Sequence, residues 1–109
     1  MKVLSRAEEL VMLSILRLKE KAYCLEILEQ LENATGKKWT LGGVYAPLNR
    51  LEKNGLIDSI LGAPSPEKGG KSKRFYKVTP LGIEALSEIK KVDNIMWNGL
   101  TDYIIDEKK

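Results

Sequence analysis

Thr40-Leu-Gly-Gly-Val-Tyr-Ala-Pro-Leu-Asn-Arg-Leu-Glu-Lys-Asn-Gly55 has two unlike sides. Leu41, Val44, Leu48 and Leu51 recur at steps of three and four, which places them on one face of a helix. Gly42, Gly43, Ala46, Asn49, Arg50 and Lys53 fall on the other, small at its start and basic or amide-bearing further along. A helix of this kind buries one side in its own domain and offers the other to a groove of double-stranded DNA. Glycine lets the backbone come close to a phosphate, and Asn and Arg have the donors and acceptors to read base edges. Thr40 is the expected N-cap, and Asn54-Gly55 the expected stop, because both residues tolerate positive φ. Pro47 removes the intrahelical bond to Gly43 and is expected to kink the axis or confine its regular part.

Two helices are expected before this one. Ser5-Arg-Ala-Glu8 has capping-box spacing and starts a helix that runs to about Lys19, apolar on most sides through Leu10, Val11, Leu13, Ile15, Leu16 and Leu18. A second spans Ala22 to Ala34, with Cys24, Ile27, Leu28 and Leu31 as its apolar stripe and Gly36 as its stop. Trp39 lies before the third helix and is expected to cover the core. After the third helix, Leu56–Leu61 and Lys73–Val78 read as strands joined by a Gly/Pro/Ser-rich loop. Thr79-Pro80 then opens a fourth helix reaching about Ile105. The expected fold is mainly α with a small two-stranded β-hairpin: a winged helix-turn-helix over residues 1–79 and a long C-terminal dimerisation helix over 80–109. In such a fold the third helix enters the major groove, and the hairpin tip follows the backbone or the adjacent minor groove.

Composition narrows the function. The 109 residues suffice for one core, and 43% of them are hydrophobic, as in ordinary globular proteins. No apolar run is long enough to cross a bilayer and no secretory segment opens the chain, so a cytoplasmic protein with no membrane partner is expected. Histidine is absent and Cys24 is the one cysteine. A zinc site, an internal disulfide and histidine-based acid–base chemistry are therefore not expected, nor is any cofactor or enzymatic activity. The net charge is only +3, but Lys68, Lys71, Lys73, Arg74 and Lys77 cluster around a single acid, Glu67. Basic charge concentrated in the hairpin suits a polyanion, although a solvated loop has the same composition.

The order and residues of these segments resemble the PadR-like transcriptional regulators. Tyr23 is similar to the tyrosine of that family's tyrosine-glycine pair, with Cys24 in place of the glycine. Gly43-Val-Tyr-Ala-Pro-Leu-Asn-Arg-Leu-Glu-Lys-Asn-Gly-Leu-Ile57 resembles its recognition helix, Pro47 included. Gly69-Gly-Lys-Ser-Lys-Arg-Phe-Tyr-Lys-Val-Thr-Pro-Leu-Gly82 resembles its wing and the helix start that follows. The match covers roughly residues 5 to 90. The resemblance implies a homodimeric repressor, often released from its operator by a small molecule, and the single C-terminal helix resembles the subgroup with compact dimers. It also favours a phosphate contact for Tyr45.

Each candidate has a functional and a structural reading. Asn49 and Arg50 are the leading base-edge readers, with Lys53 beside them, whereas Arg50 could instead pair with Glu52, Glu29 or Glu32. Tyr45 and Tyr23 each reach a phosphate through the hydroxyl or pack against the core. Thr40, Gly42 and Gly43 present backbone N–H groups to an anion or form a flexible helix end. Lys68, Lys71, Lys73 and Arg74 are expected phosphate contacts, with bracing of the hairpin the alternative for Arg74. Leu86, Ile89, Val92, Met96, Trp97 and Leu100 continue an apolar stripe that one domain cannot bury, so a two-fold dimer with Leu10 and Leu13 is expected. Ile89, Met96 and Trp97 lie either in a filled interface or around a cavity suited to a flat aromatic ligand. Winged helices also serve as protein-interaction modules without DNA binding, and fold alone does not separate the two uses.

Overall fold

The computed structural model describes residues 3–62 and 73–103. Its first helix, α1 (Arg6–Leu18), begins at the anticipated capping box. Ser5 Oγ accepts from the Glu8 amide at 3.1 Å, and Glu8 Oε1 accepts from the Ser5 amide at 2.7 Å. Two orphan donors of the helix start are thus satisfied by one pair of side chains. Val11, Met12 and Ile15 are buried, which makes α1 the central element. The helix ends at Lys19 with φ 54° and a 3₁₀ turn over Lys19–Lys21.

Helix α2 (Cys24–Thr35) buries Ile27 and Leu31 and stops at Gly36, whose φ of 69° is the left-handed cap that glycine accepts without strain. Trp39 half-covers the core and is fixed twice: its amide donates to Glu32 Oε2 at 3.0 Å and its indole Nε1 to Thr35 Oγ1 at 3.1 Å. Helix α3 (Leu41–Lys53) is capped by Thr40, whose Oγ1 accepts from the Gly43 amide at 2.9 Å. It runs without interruption through Pro47, whose ring is buried beside Val44, Leu48 and Leu51. The regular part is therefore not confined by the proline. Leu41 departs from expectation: it is half exposed because the first helical residue overhangs the end of the core. Of the stop pair, only Gly55 takes positive φ, at 77°.

Strands β1 (Ile57–Leu61) and β2 (Arg74–Val78) pair antiparallel, with Ile57 opposite Val78 and Leu61 opposite Arg74. Ile57, Tyr76 and Val78 face the core, and Lys77 faces out, as a period of two requires. The connection before α2 adds a short third edge: the Tyr76 amide donates to the Ala22 carbonyl at 2.8 Å, and Tyr23 bridges Phe75.

Helix α4 (Pro80–Trp97) is pinned at its start. Thr79 Oγ1 accepts from the Gly82 amide at 3.1 Å and donates to the Gly55 carbonyl at 2.7 Å. At Gly82 a Cβ would overlap the Leu56 carbonyl oxygen and lie 2.6 Å from Val78 Cγ1, so only glycine permits this approach. Ala85 and Leu86 pack against the core, and beyond them α4 projects away. The Cα radius of gyration is 16.1 Å, against ~13 Å for a compact chain of this length. The helix is shorter than expected. It ends at Trp97 because Asn98-Gly99 follows, and Gly99 has φ 81°, which no helix continues through. A 3₁₀ turn over Thr101–Tyr103 completes the described chain. None of the described helices is long and apolar enough to cross a membrane.

Candidate nucleic-acid interface

Burying Val44, Pro47, Leu48 and Leu51 turns the opposite side of α3 outward. That side carries Gly42, Ala46, Asn49 and Lys53, all exposed and spaced three or four residues apart. Thr40 engages the Gly43 amide, and the Leu41 and Gly42 amides precede the first possible intrahelical acceptor. The start of α3 thus combines free donors, a partial positive charge and no side chain at Gly42, where nothing lies within 4 Å of a hypothetical Cβ. Gly43 is tighter, its Cβ position lying 3.1 Å from Thr40 Oγ1.

The flanks of α3 are braced to different elements. On one side Arg50 Nε donates to Glu8 Oε2 at 3.2 Å, with half of the arginine side chain exposed and Glu8 almost wholly covered. Arg50 therefore pairs neither with Glu52 nor with the acids of α2, but with a carboxylate at the start of α1. Burial pushes the Glu8 carboxyl up, but the Ser5 amide and the Arg50 guanidinium outweigh it and hold its pKa below the ordinary range. On the other side Ser59 Oγ donates to Glu52 Oε2 at 2.6 Å and accepts from Arg74 Nη1 at 2.9 Å. Arg74 thus braces the hairpin against α3.

Tyr45 lies on the hairpin flank, half exposed, beside the Cys24 thiol. The thiol and partial burial push its hydroxyl pKa up, and burial pushes the neighbouring Tyr76 to about 12. Tyr23 is a platform: its hydroxyl donates to Glu26 Oε2 at 3.2 Å, and its ring meets Phe75 edge-on at 5.6 Å. Lys73 Nζ sits 4.1 Å over the same ring, a cation–π contact at the stem of the hairpin. Lys68 and Lys71 lie outside the described residues.

A second surface lies along α4. Val92, Met96, Trp97 and Leu100 are exposed, Met96 and Trp97 by 66% and 54%. Leu13 on α1 is exposed as well, and Leu10 is half-buried. An open groove of about 740 Å³ runs between the start of α1 and α4, floored by Leu4, Leu56, Ala85, Ile89 and Val92, with Glu9, Glu84 and Glu88 among its lining. Ile89 thus lines a cavity, but Met96 and Trp97 do not join it within one protomer. Sequence reasoning missed Glu8, Glu52 and Ser59 as parts of the site. Glu8 was visible only as a capping residue, and nothing local announces a partner 42 residues away.

Residues 12–88 match the model of the transcriptional regulator PadR-like family. Among solved structures, the chain is similar to a PadR-like transcription factor from Bacteroides fragilis, at 25% identity and a TM-score of 0.71 over 89% of this chain and 88% of that one. A PadR-like transcriptional regulator from Bacillus cereus is also similar, with 25% identity, 92% coverage of both chains and a TM-score of 0.71. An uncharacterized protein of Lysinibacillus sphaericus is 36% identical over 76 residues, which span 68% of this chain and 67% of the other.

Proposed function

The chain belongs to the PadR-like family of transcriptional regulators, and from that premise we propose that it is a homodimeric, sequence-specific DNA-binding repressor released by a small ligand. The observation that carries the DNA-binding part is the exposed stripe of Gly42, Ala46, Asn49 and Lys53 on a helix held from both flanks. A fixed helix with a bare start and an amide and a cation further along suits a major groove. In this reading the Leu41 and Gly42 amides meet a phosphate and Asn49 reads a base edge. Lys53, Lys73 and the hairpin lysines Lys68 and Lys71 neutralise backbone charge. Arg50, anchored through Nε, offers its terminal nitrogens at the edge of the same groove. Tyr45 and Tyr23 support the wing, with the Tyr45 hydroxyl near enough to the surface to meet a phosphate.

The dimer reading rests on α4. Its Val92, Met96, Trp97 and Leu100 are apolar side chains that a lone protomer leaves exposed, and Leu13 on α1 is exposed as well. Residues 80–109 then act as the pairing element and residues 1–79 as the reading unit. Ile89, Met96 and Trp97 approach one another across the two-fold axis, and an aromatic ligand seated there changes the spacing of the two α3 helices.

Selection of bound fragments from genomic DNA by the purified protein, followed by titration of the recovered site with added salt, tests the proposal. A regulator recovers a two-fold repeated site and loses affinity steeply as salt rises. A protein-interaction module recovers no shared sequence.

A further inference from the structure

Glu8 divides its carboxylate between two helices. Oε1 accepts the Ser5 amide at 2.7 Å and so completes the cap of α1, and Oε2 accepts Arg50 Nε at 3.2 Å and so holds a side chain of α3. Glu8 is 5% exposed, whereas the Arg50 side chain remains half in solvent. A nearly buried anion with both oxygens engaged is stiff, because moving either partner strands charge in a poorly solvated place. The Arg50 side chain is correspondingly constrained at Nε, while half of it stays in solvent and its two terminal nitrogens make no hydrogen bond among the described residues.

We propose that Glu8 is a positioning residue for DNA reading: by gripping Arg50 from the start of α1 it fixes the direction in which the guanidinium meets the duplex, and it ties that direction to the placement of α1. The inference rests on the DNA-binding reading above and adds a residue that touches no DNA. Arginine discriminates among base pairs or phosphate positions only when its fork is oriented, since a free guanidinium finds an acceptor at almost any sequence. Glu8 supplies the orientation. Because α1 also carries Leu10 and Leu13, the Glu8–Arg50 contact links the same helix to the reading side of α3.

The test compares Glu8→Gln with Ser5→Ala. Glutamine retains an oxygen for the Ser5 amide but then turns its NH₂ toward Arg50 Nε, so the cap survives and the grip does not. Ser5→Ala weakens the cap and leaves the grip. For each protein the affinity for the selected site is divided by the affinity for a scrambled duplex at fixed salt. Glu8→Gln is expected to lower that ratio about tenfold, and Ser5→Ala to leave it within about twofold despite a comparable loss of thermal stability. The double variant Glu8→Gln/Arg50→Ala should discriminate no worse than Arg50→Ala alone. In the free protein, Glu8→Gln should remove the slow exchange of the Arg50 Nε–H proton, a readout that needs no DNA. An unchanged ratio in Glu8→Gln, or losses that multiply in the double variant, overturns the proposal. If Asn49→Ala abolishes discrimination while Glu8→Gln leaves it intact, the positioning role alone fails. If the wild-type protein does not discriminate at all, the DNA-binding reading fails with it.

Discussion

Replacing Gly42 by alanine should push stability and DNA affinity in opposite directions. Gly42 is the second residue of α3, exposed, with a negative φ and nothing within 4 Å of the position a methyl group would take. Within the protein the substitution is therefore free of strain. Glycine inside a helix is less favourable than alanine by about 1 kcal/mol, and near the first turn by about half of that. A gain of about 0.5 kcal/mol should raise Tm by roughly 2–4 °C for a chain of this size. At the proposed interface the same methyl projects where a phosphate oxygen must come within about 2.9 Å of a backbone nitrogen. A charge-assisted hydrogen bond of this kind is worth about 1.5–3 kcal/mol, and a two-fold complex contains it twice. The operator affinity should then fall at least tenfold, equivalent to about 1.4 kcal/mol. Thermal unfolding and fluorescence-anisotropy titration of a labelled duplex measure the two effects on one preparation. A variant that is more stable and binds as tightly as wild type would refute close approach at Gly42. A variant that is less stable would refute the open space around it.

Gly82→Ala should behave oppositely within the fold, because its Cβ would overlap the Leu56 carbonyl and crowd Val78. Overpacking exceeds the gain in helix propensity, and urea unfolding should show a net loss of about 2 kcal/mol; an unchanged midpoint would mean that α4 docks less closely. Glu8 has a pKa below its unfolded value, so its stabilisation is complete above about pH 4.5 and is lost as pH falls through the folded-state value. Urea unfolding at neutral and acid pH should therefore show a smaller acid loss in Glu8→Gln than in wild type, and equal losses would place the acid sensitivity elsewhere. Met96→Asp and Trp97→Asp alter side chains that the protomer leaves exposed. Sedimentation velocity should show the proposed wild-type dimer converted to monomers with unchanged helicity, and a dimer that persisted in the variants would remove α4 from the interface.

The fold was legible where its signals are local. Ser5, Thr40 and Thr79 announce three helix starts, and each supplies its cap within three residues. Gly36 and Gly55 announce stops through positive φ. Pro47 reads as a break, but the helix keeps it because the ring lies on the buried side with Val44 and Leu48. The length of α4 was misread because its apolar rhythm continues into Leu100 and Tyr103, whereas Asn98-Gly99 releases the backbone first. The outward face of α3 followed from periodicity alone. The partners around it did not. Arg50 meets Glu8, Arg74 meets Ser59, and Lys73 meets Tyr23, pairs whose members belong to different segments and come together only through packing.

Hydroxyl-radical footprinting on a selected genomic fragment addresses the DNA-bound geometry without mutation. Two α3 helices presented by one dimer should protect two backbone patches related by a dyad and centred about 10 base pairs apart, or a multiple of that spacing. A single protected patch, or uniform weak protection that vanishes with competitor DNA, would contradict a paired, sequence-reading molecule.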